Sequence, residues 1–168
     1  MKLIFNEVST VKLVGFQPFQ CIIIASGKKW TFSKFVSDEY IEDGFCFVNN
    51  RYVLRNYLSE KSFLANRILS FRQASMSISS DYELETYRQP FEFLAKTGEL
   101  LQFSLQQEDV GYVGRVKKVN DKSCVIQLFS TKGVWLKEFN FKYDAIRTFQ
   151  IKGNYLDSLA ILANQASA

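Results

Sequence analysis

The run Tyr112-Val113-Gly114-Arg115-Val116-Lys117-Lys118-Val119 is followed by Asn120-Asp121-Lys122 and then by Ser123-Cys124-Val125-Ile126-Gln127-Leu128-Phe129. β-branched and aromatic residues recur in both runs, and such residues suit a pleated, half-buried surface. Asn-Asp-Lys between them is a turn signal. The stretch therefore reads as two strands joined by a tight turn. Downstream, Ser130-Thr131-Lys132-Gly133 turns into a strand from Val134 to Phe141. Tyr143 to Ile146 is a short crossing segment before a strand at Arg147 to Lys152. Asn154 caps a helix from Tyr155 to Ala163, with Tyr155, Leu159 and Leu162 spaced for one face. Upstream, Leu101, Phe103 and Leu105 alternate with Gln102, Ser104 and Gln106, the period of a strand. A short helix is expected over Tyr82 to Lys96, interrupted at Pro90.

The first half has the same order of parts. Phe19 to Ser26 and Trp30 to Val36 are strands around the turn Gly27-Lys28-Lys29. An acidic loop runs to Gly44, and Phe45 to Val48 and Tyr52 to Leu54 follow as strands. Ser59 caps a helix whose Phe63, Leu64, Ile68 and Phe71 are spaced for one face. The polar stretch Gln73 to Asp81 is the linker. The reading is mostly β with a few short helices: two tandem small barrels, one at 1–72 and one at 82–168, related by an internal repeat of pattern rather than identity.

The second unit, from Gly111-Tyr112-Val113-Gly114-Arg115-Val116 through Gly133-Val134-Trp135 to Ile146-Arg147-Thr148-Phe149, resembles an Sm-like or SH3-like small barrel. The ending Asn154-Tyr155-Leu156-Asp157-Ser158-Leu159-Ala160 resembles the tail of uncharacterised bacterial proteins that carry such barrels. The resemblance implies that fold. Where the Sm pattern asks for an Asp and a base-reading Asn, this chain has Asn120 and Cys124, so Sm-type RNA reading does not carry over.

Composition bounds the chemistry. The chain of 168 residues has no histidine, which removes the commonest general base and metal ligand. Cys21, Cys46 and Cys124 are far apart, each in an apolar run. They read as buried free thiols, not as a zinc site or a disulfide framework. The expectations are a cytoplasmic, non-membrane protein without cofactor or metal, and no enzyme. No Gly-rich phosphate loop is present. The acids at Asp38-Glu39, Glu42-Asp43 and Glu108-Asp109 sit in polar, turn-like stretches and read as solvated.

Two features are left for binding. Tyr40 and Ile41 stand beside Glu42 and Asp43 in a charged loop. They suit a protein partner, unless Tyr40 folds back over the barrel. Lys28 and Lys29, with Arg115, Lys117 and Lys118, are basic residues interleaved with aromatics, as a nucleic-acid surface needs, or as solubilising edge residues. The leading expectation is a non-enzymatic binding or regulatory protein acting through protein–protein contacts. A toxin-neutralising immunity protein is one molecule of that kind. The alternative is RNA or single-stranded DNA binding through the basic turns. Edge strands of small barrels also admit a homo-oligomer.

Overall fold

The computed structural model describes residues 2–72, 75–77, 82–108 and 110–166. Of the expected linker at 73–81 only 75–77 are described, and Asp109 lies outside the described residues. The first half runs β1 (Val8–Leu13), β2 (Phe19–Ser26), β3 (Trp30–Val36), β4 (Glu42–Asn49), a single 3-10 turn (Asn50–Tyr52), β5 (Val53–Tyr57) and α1 (Glu60–Ser70). The second half runs α2 (Gln89–Thr97), β6 (Leu100–Ser104), β7 (Gly111–Val119), β8 (Ser123–Phe129), β9 (Trp135–Lys142), a 3-10 turn (Tyr143–Ala145), β10 (Thr148–Ile151) and α3 (Asn154–Ala166).

The expected mostly β chain with short helices is what the structure shows. The ten strands form one antiparallel sheet in the order β5-β1-β2-β3-β4-β10-β6-β7-β8-β9. The sheet is not closed, and separate tandem barrels are not seen. Strand order and pairing nevertheless match between halves. The numerical step from Trp30 to Ser123 also takes Asn49 to Lys142, and both pairs are in register. The same step carries the bulge at Ile23/Ala25 to Val116/Lys118 and that at Lys34/Val36 to Gln127/Phe129.

β10 joins the halves. It pairs with β4 on one side and β6 on the other, so Phe149 lies opposite both Phe47 and Phe103. The rings of Phe47 and Phe149 stack at 4.3 Å with 9° between planes. Trp30 meets Phe149 edge-on at 5.1 Å and Phe91 at 6.0 Å. These rings are fully buried in one cluster drawn from both halves. Aromatic pairs in such geometries contribute about 0.5–1.5 kcal/mol each beyond area burial. Phe32, Phe45, Phe47, Phe91, Phe103 and Phe149 all lie buried in this shared core.

Four elements differ from the sequence reading. β1, Val8-Ser9-Thr10-Val11-Lys12-Leu13, carries no clean alternation because Ser9 and Thr10 are buried. Asn56 Nδ2 donates to Ser9 Oγ at 2.7 Å, and the Thr10 and Ser59 hydroxyls bond at 2.6 Å, so these polar groups are satisfied. α1 buries Ser62 and Ala65, whereas Phe63 and Phe71 are 59% and 80% exposed. Its expected apolar face points outward. α2 begins at Gln89 with Pro90 in its first turn, where a missing N–H costs no bond. Pro90 starts this helix and does not interrupt it. α3 buries Leu156, Leu159 and Ala163, leaving Tyr155 and Leu162 exposed.

Candidate functional site

The acidic loop is built into the scaffold. Tyr40 has φ of 58°, a left-handed conformation that disfavours side chains with a Cβ. The bonds Tyr40 N–H to Ser37 O and Ser37 N–H to Ile41 O set this turn, and Gly133, Ser130 and Val134 make the same two bonds in the other half. Gly133 is therefore matched by Tyr40. The Tyr40 ring is packed against the Val8, Val36 and Ala65 cluster. Glu42 accepts from Met76 N–H at 2.6 Å and pairs with Lys34 at 3.3 Å. Asp43 accepts from Asn154 N–H at 2.8 Å, holding the start of α3. Only Ile41, 39% exposed, remains on the surface of the four.

The basic residues are regrouped. Lys28 and Lys29 line a cleft of about 550 Å³ with Arg88, Lys122, Lys142 and the rings of Tyr87 and Tyr143. Glu85, Asp121 and Asp144 also line it. The turns after β2 and β7 thus meet at one place. Lys29 Nζ sits 4.8 Å from the centre of the Tyr87 ring. Arg88 is held by Glu92 at 2.6 Å and Asp121 at 3.1 Å. Burial pushes the Tyr87 and Tyr143 phenols up, so both stay neutral. The Tyr143 hydroxyl donates to Asn120 O at 2.8 Å. Lys117 and Lys118 are exposed on β7 and do not line this cleft. Arg115 is engaged elsewhere: it donates to Gln127 Oε1 at 3.1 Å and lies 4.1 Å from the Trp135 ring centre.

A second cleft, of about 540 Å³, is lined by Asp38, Glu39, Lys61 and Glu108 together with other polar residues and the rings of Phe16, Phe19 and Phe35. Asp38 is paired with Lys61, and Glu108 accepts from Gln17 N–H at 2.7 Å. The three thiols are buried, and burial raises Cys21 and Cys124 to about 12 and Cys46 higher still. A neutral buried thiol is a poor nucleophile. Among the described residues, no three His, Cys, Asp or Glu gather as a metal set, and no helix is long and apolar enough to cross a membrane.

A further surface was not singled out by sequence reasoning. β9 is the last strand of the sheet, so among the described residues no further strand covers its outer side. Around it Val134, Leu136 and Phe139 are 56%, 47% and 49% exposed. At the other end, among the described residues, no further strand covers the outer side of β5, and Leu54 is exposed. The signal was present as the apolar run Val134-Trp135-Leu136, but which strand becomes an edge is a property of the whole sheet. No family model, curated protein or solved structure matches this chain.

Proposed function

We propose that the chain is a non-enzymatic binding protein that acts through protein–protein contacts. In this reading its halves are repeats of one five-stranded unit of Sm-like or SH3-like kind. The observation that carries the binding reading is the β9 edge: a strand paired on its inner side with β8, last in the sheet on its outer side, and accompanied by three half-exposed apolar side chains. Such an edge is a template for strand addition by a partner. A toxin-neutralising immunity protein is one molecule of that kind. The occupied state of Glu42, Asp43, Asp38 and Glu108 further favours binding over acid–base chemistry. The test is Leu136→Lys with Phe139→Lys, compared with the wild type in capture from the native host and in reconstitution with the captured protein. Both proteins should show the same circular dichroism, and the variant should lose the partner. Equal capture by both would overturn the reading.

A second reading, nucleic-acid binding, is favoured by one observation: Lys28, Lys29, Lys122 and Lys142 share one cleft with Tyr87. Lysines neutralise phosphates and a ring stacks a base. Binding of single-stranded RNA should then weaken steeply with salt and be lost in Lys28→Glu/Lys122→Glu. Retention of a labelled oligonucleotide by that variant at low salt would remove it.

A further inference from the structure

The partner of the β9 edge follows from how the chain joins its own halves, and this step rests on the edge-binding reading above. Within the chain, the fourth strand of the first half, β4, pairs antiparallel with the fifth strand of the second half, β10. The matched strands at the two ends are β9, fourth in its half, and β5, fifth in its half. One end of the molecule thus presents the same kind of edge that β4 offers inside, and the other presents the same kind that β10 offers.

We infer that β9 of one molecule pairs with β5 of a second copy, head to tail, reproducing the internal joint between chains. The register can be written residue by residue. Internally Val48 lies opposite Thr148, Phe47 opposite Phe149 and Cys46 opposite Gln150. The step from Trp30 to Ser123 carries this to Phe141 opposite Arg55, Asn140 opposite Asn56 and Phe139 opposite Tyr57. Two of these pairs are favourable across strands. Arginine over an aromatic ring is a cation–π contact and tyrosine against phenylalanine is a favourable aromatic pair, while the Asn56 amide stays bonded to Ile4, Ser9 and Thr10 of its own chain and adds nothing across the joint. Arg55 already lies 5.2 Å from the Tyr57 ring centre, and Phe139 lies 6.4 Å from Phe141, so each edge holds its pair as a ready-made patch. The buried Phe47–Phe149 stack of the internal joint is matched by Asn140 and Asn56. The joint between chains is therefore weaker than the one within, and assembly depends on concentration. The contact is heterologous: it ends in a closed assembly if the rotation per step closes, and otherwise in an open chain.

Disulfide trapping tests this directly, because all three native thiols are buried. Tyr57→Cys and Phe139→Cys are made as separate proteins, each checked for native circular dichroism. Mixed and oxidised, they should give a disulfide-linked dimer, while each alone should not. In sedimentation velocity the wild type should gain mass with concentration. Phe139→Glu should abolish that gain, and mixing it with Tyr57→Lys should restore a dimer. A wild type that stays monomeric at every concentration, or Phe139→Cys that cross-links to itself, overturns the head-to-tail pairing. If the monomer still captures another protein through Leu136 and Phe139, the edge-binding reading survives that result. If it captures nothing, both are lost.

Discussion

At the residue scale, Tyr40 shows two terms of opposite sign at one position. Its ring packs on the helix and strand cluster around Ala65, while its backbone holds a left-handed conformation that glycine adopts freely. A non-glycine residue held there costs about 1–3 kcal/mol. Tyr40→Ala removes the packing and keeps the strain, so we expect a loss of about 1–2 kcal/mol in urea unfolding. Tyr40→Gly removes both and should be more stable than Tyr40→Ala by about 1 kcal/mol. If alanine is the better replacement, the turn is not strained. The cysteines give a pH dependence. Burial raises Cys21 and Cys124 from the ordinary 9.0 to about 12. Above 9.0 the unfolded chain gives up thiol protons that the folded chain keeps. Their contribution to stability is therefore full below 9.0 and is lost as pH rises through about 12. Unfolding free energy should fall with pH across that window, and less steeply in Cys21→Ala. The native thiols should resist alkylation at pH 8 until denaturant is added.

At the scale of elements, α1 carries the clearest contrast. The large side chains of Phe63 and of Phe71, just past the helix end, face out, and the helix's small ones, Ser62 and Ala65, meet the sheet. A helix lying close against β1 has room only for small residues at the contact. Ala65→Leu should overpack that contact and cost about 1–3 kcal/mol. Phe71→Ser, on the exposed face, should change stability by about 0.5 kcal/mol or less. Both are measured by thermal or urea unfolding, and a reversed order would mean that the helix sits with its other face inward. The same helix shows where sequence reading stops. Hydrophobic spacing located α1 through Ser59 and its apolar period, but spacing cannot tell a face that meets the sheet from one that meets solvent. β2, β3, β7 and β8 were legible because turns at Gly27-Lys28-Lys29 and Asn120-Asp121-Lys122 bound them. β1 was not, because its buried Ser9 and Thr10 are satisfied by Asn56 and Ser59, residues that approach only in the folded sheet. The site followed the same rule. Lys28 and Lys29 were visible as a basic turn, but their neighbours Lys122 and Lys142 come from turns and strand ends far along the chain. Glu42 and Asp43 looked solvent-facing because their partners, Met76 and Asn154, are likewise distant in sequence.

At the scale of the molecule, the question is whether the halves unfold as one body. β10 belongs by sequence to the second half, yet it is hydrogen-bonded to β4 of the first. Phe149 at its centre touches Trp30, Phe47 and Phe91, all within one buried cluster. Neither half can lose its packing without exposing rings of the other, which is the condition for a two-state transition. The chain supplies its own reporters, one tryptophan in each half: Trp30 in the shared cluster and Trp135 beside Leu156 and Leu159 under α3. Trp135→Phe and Trp30→Phe each leave one fluorophore. If the sheet is a single cooperative unit, the two variants, each normalised to its own circular dichroism, should show fluorescence and dichroism transitions that coincide in urea. Phe149→Ala should then lower stability by about 3–5 kcal/mol, as removal of a buried phenylalanine does. Both reporters should move to lower urea together. A Trp135 signal that keeps its midpoint in Phe149→Ala while Trp30 shifts would mean that the second half stands alone, and that β10 serves the joint more than the fold.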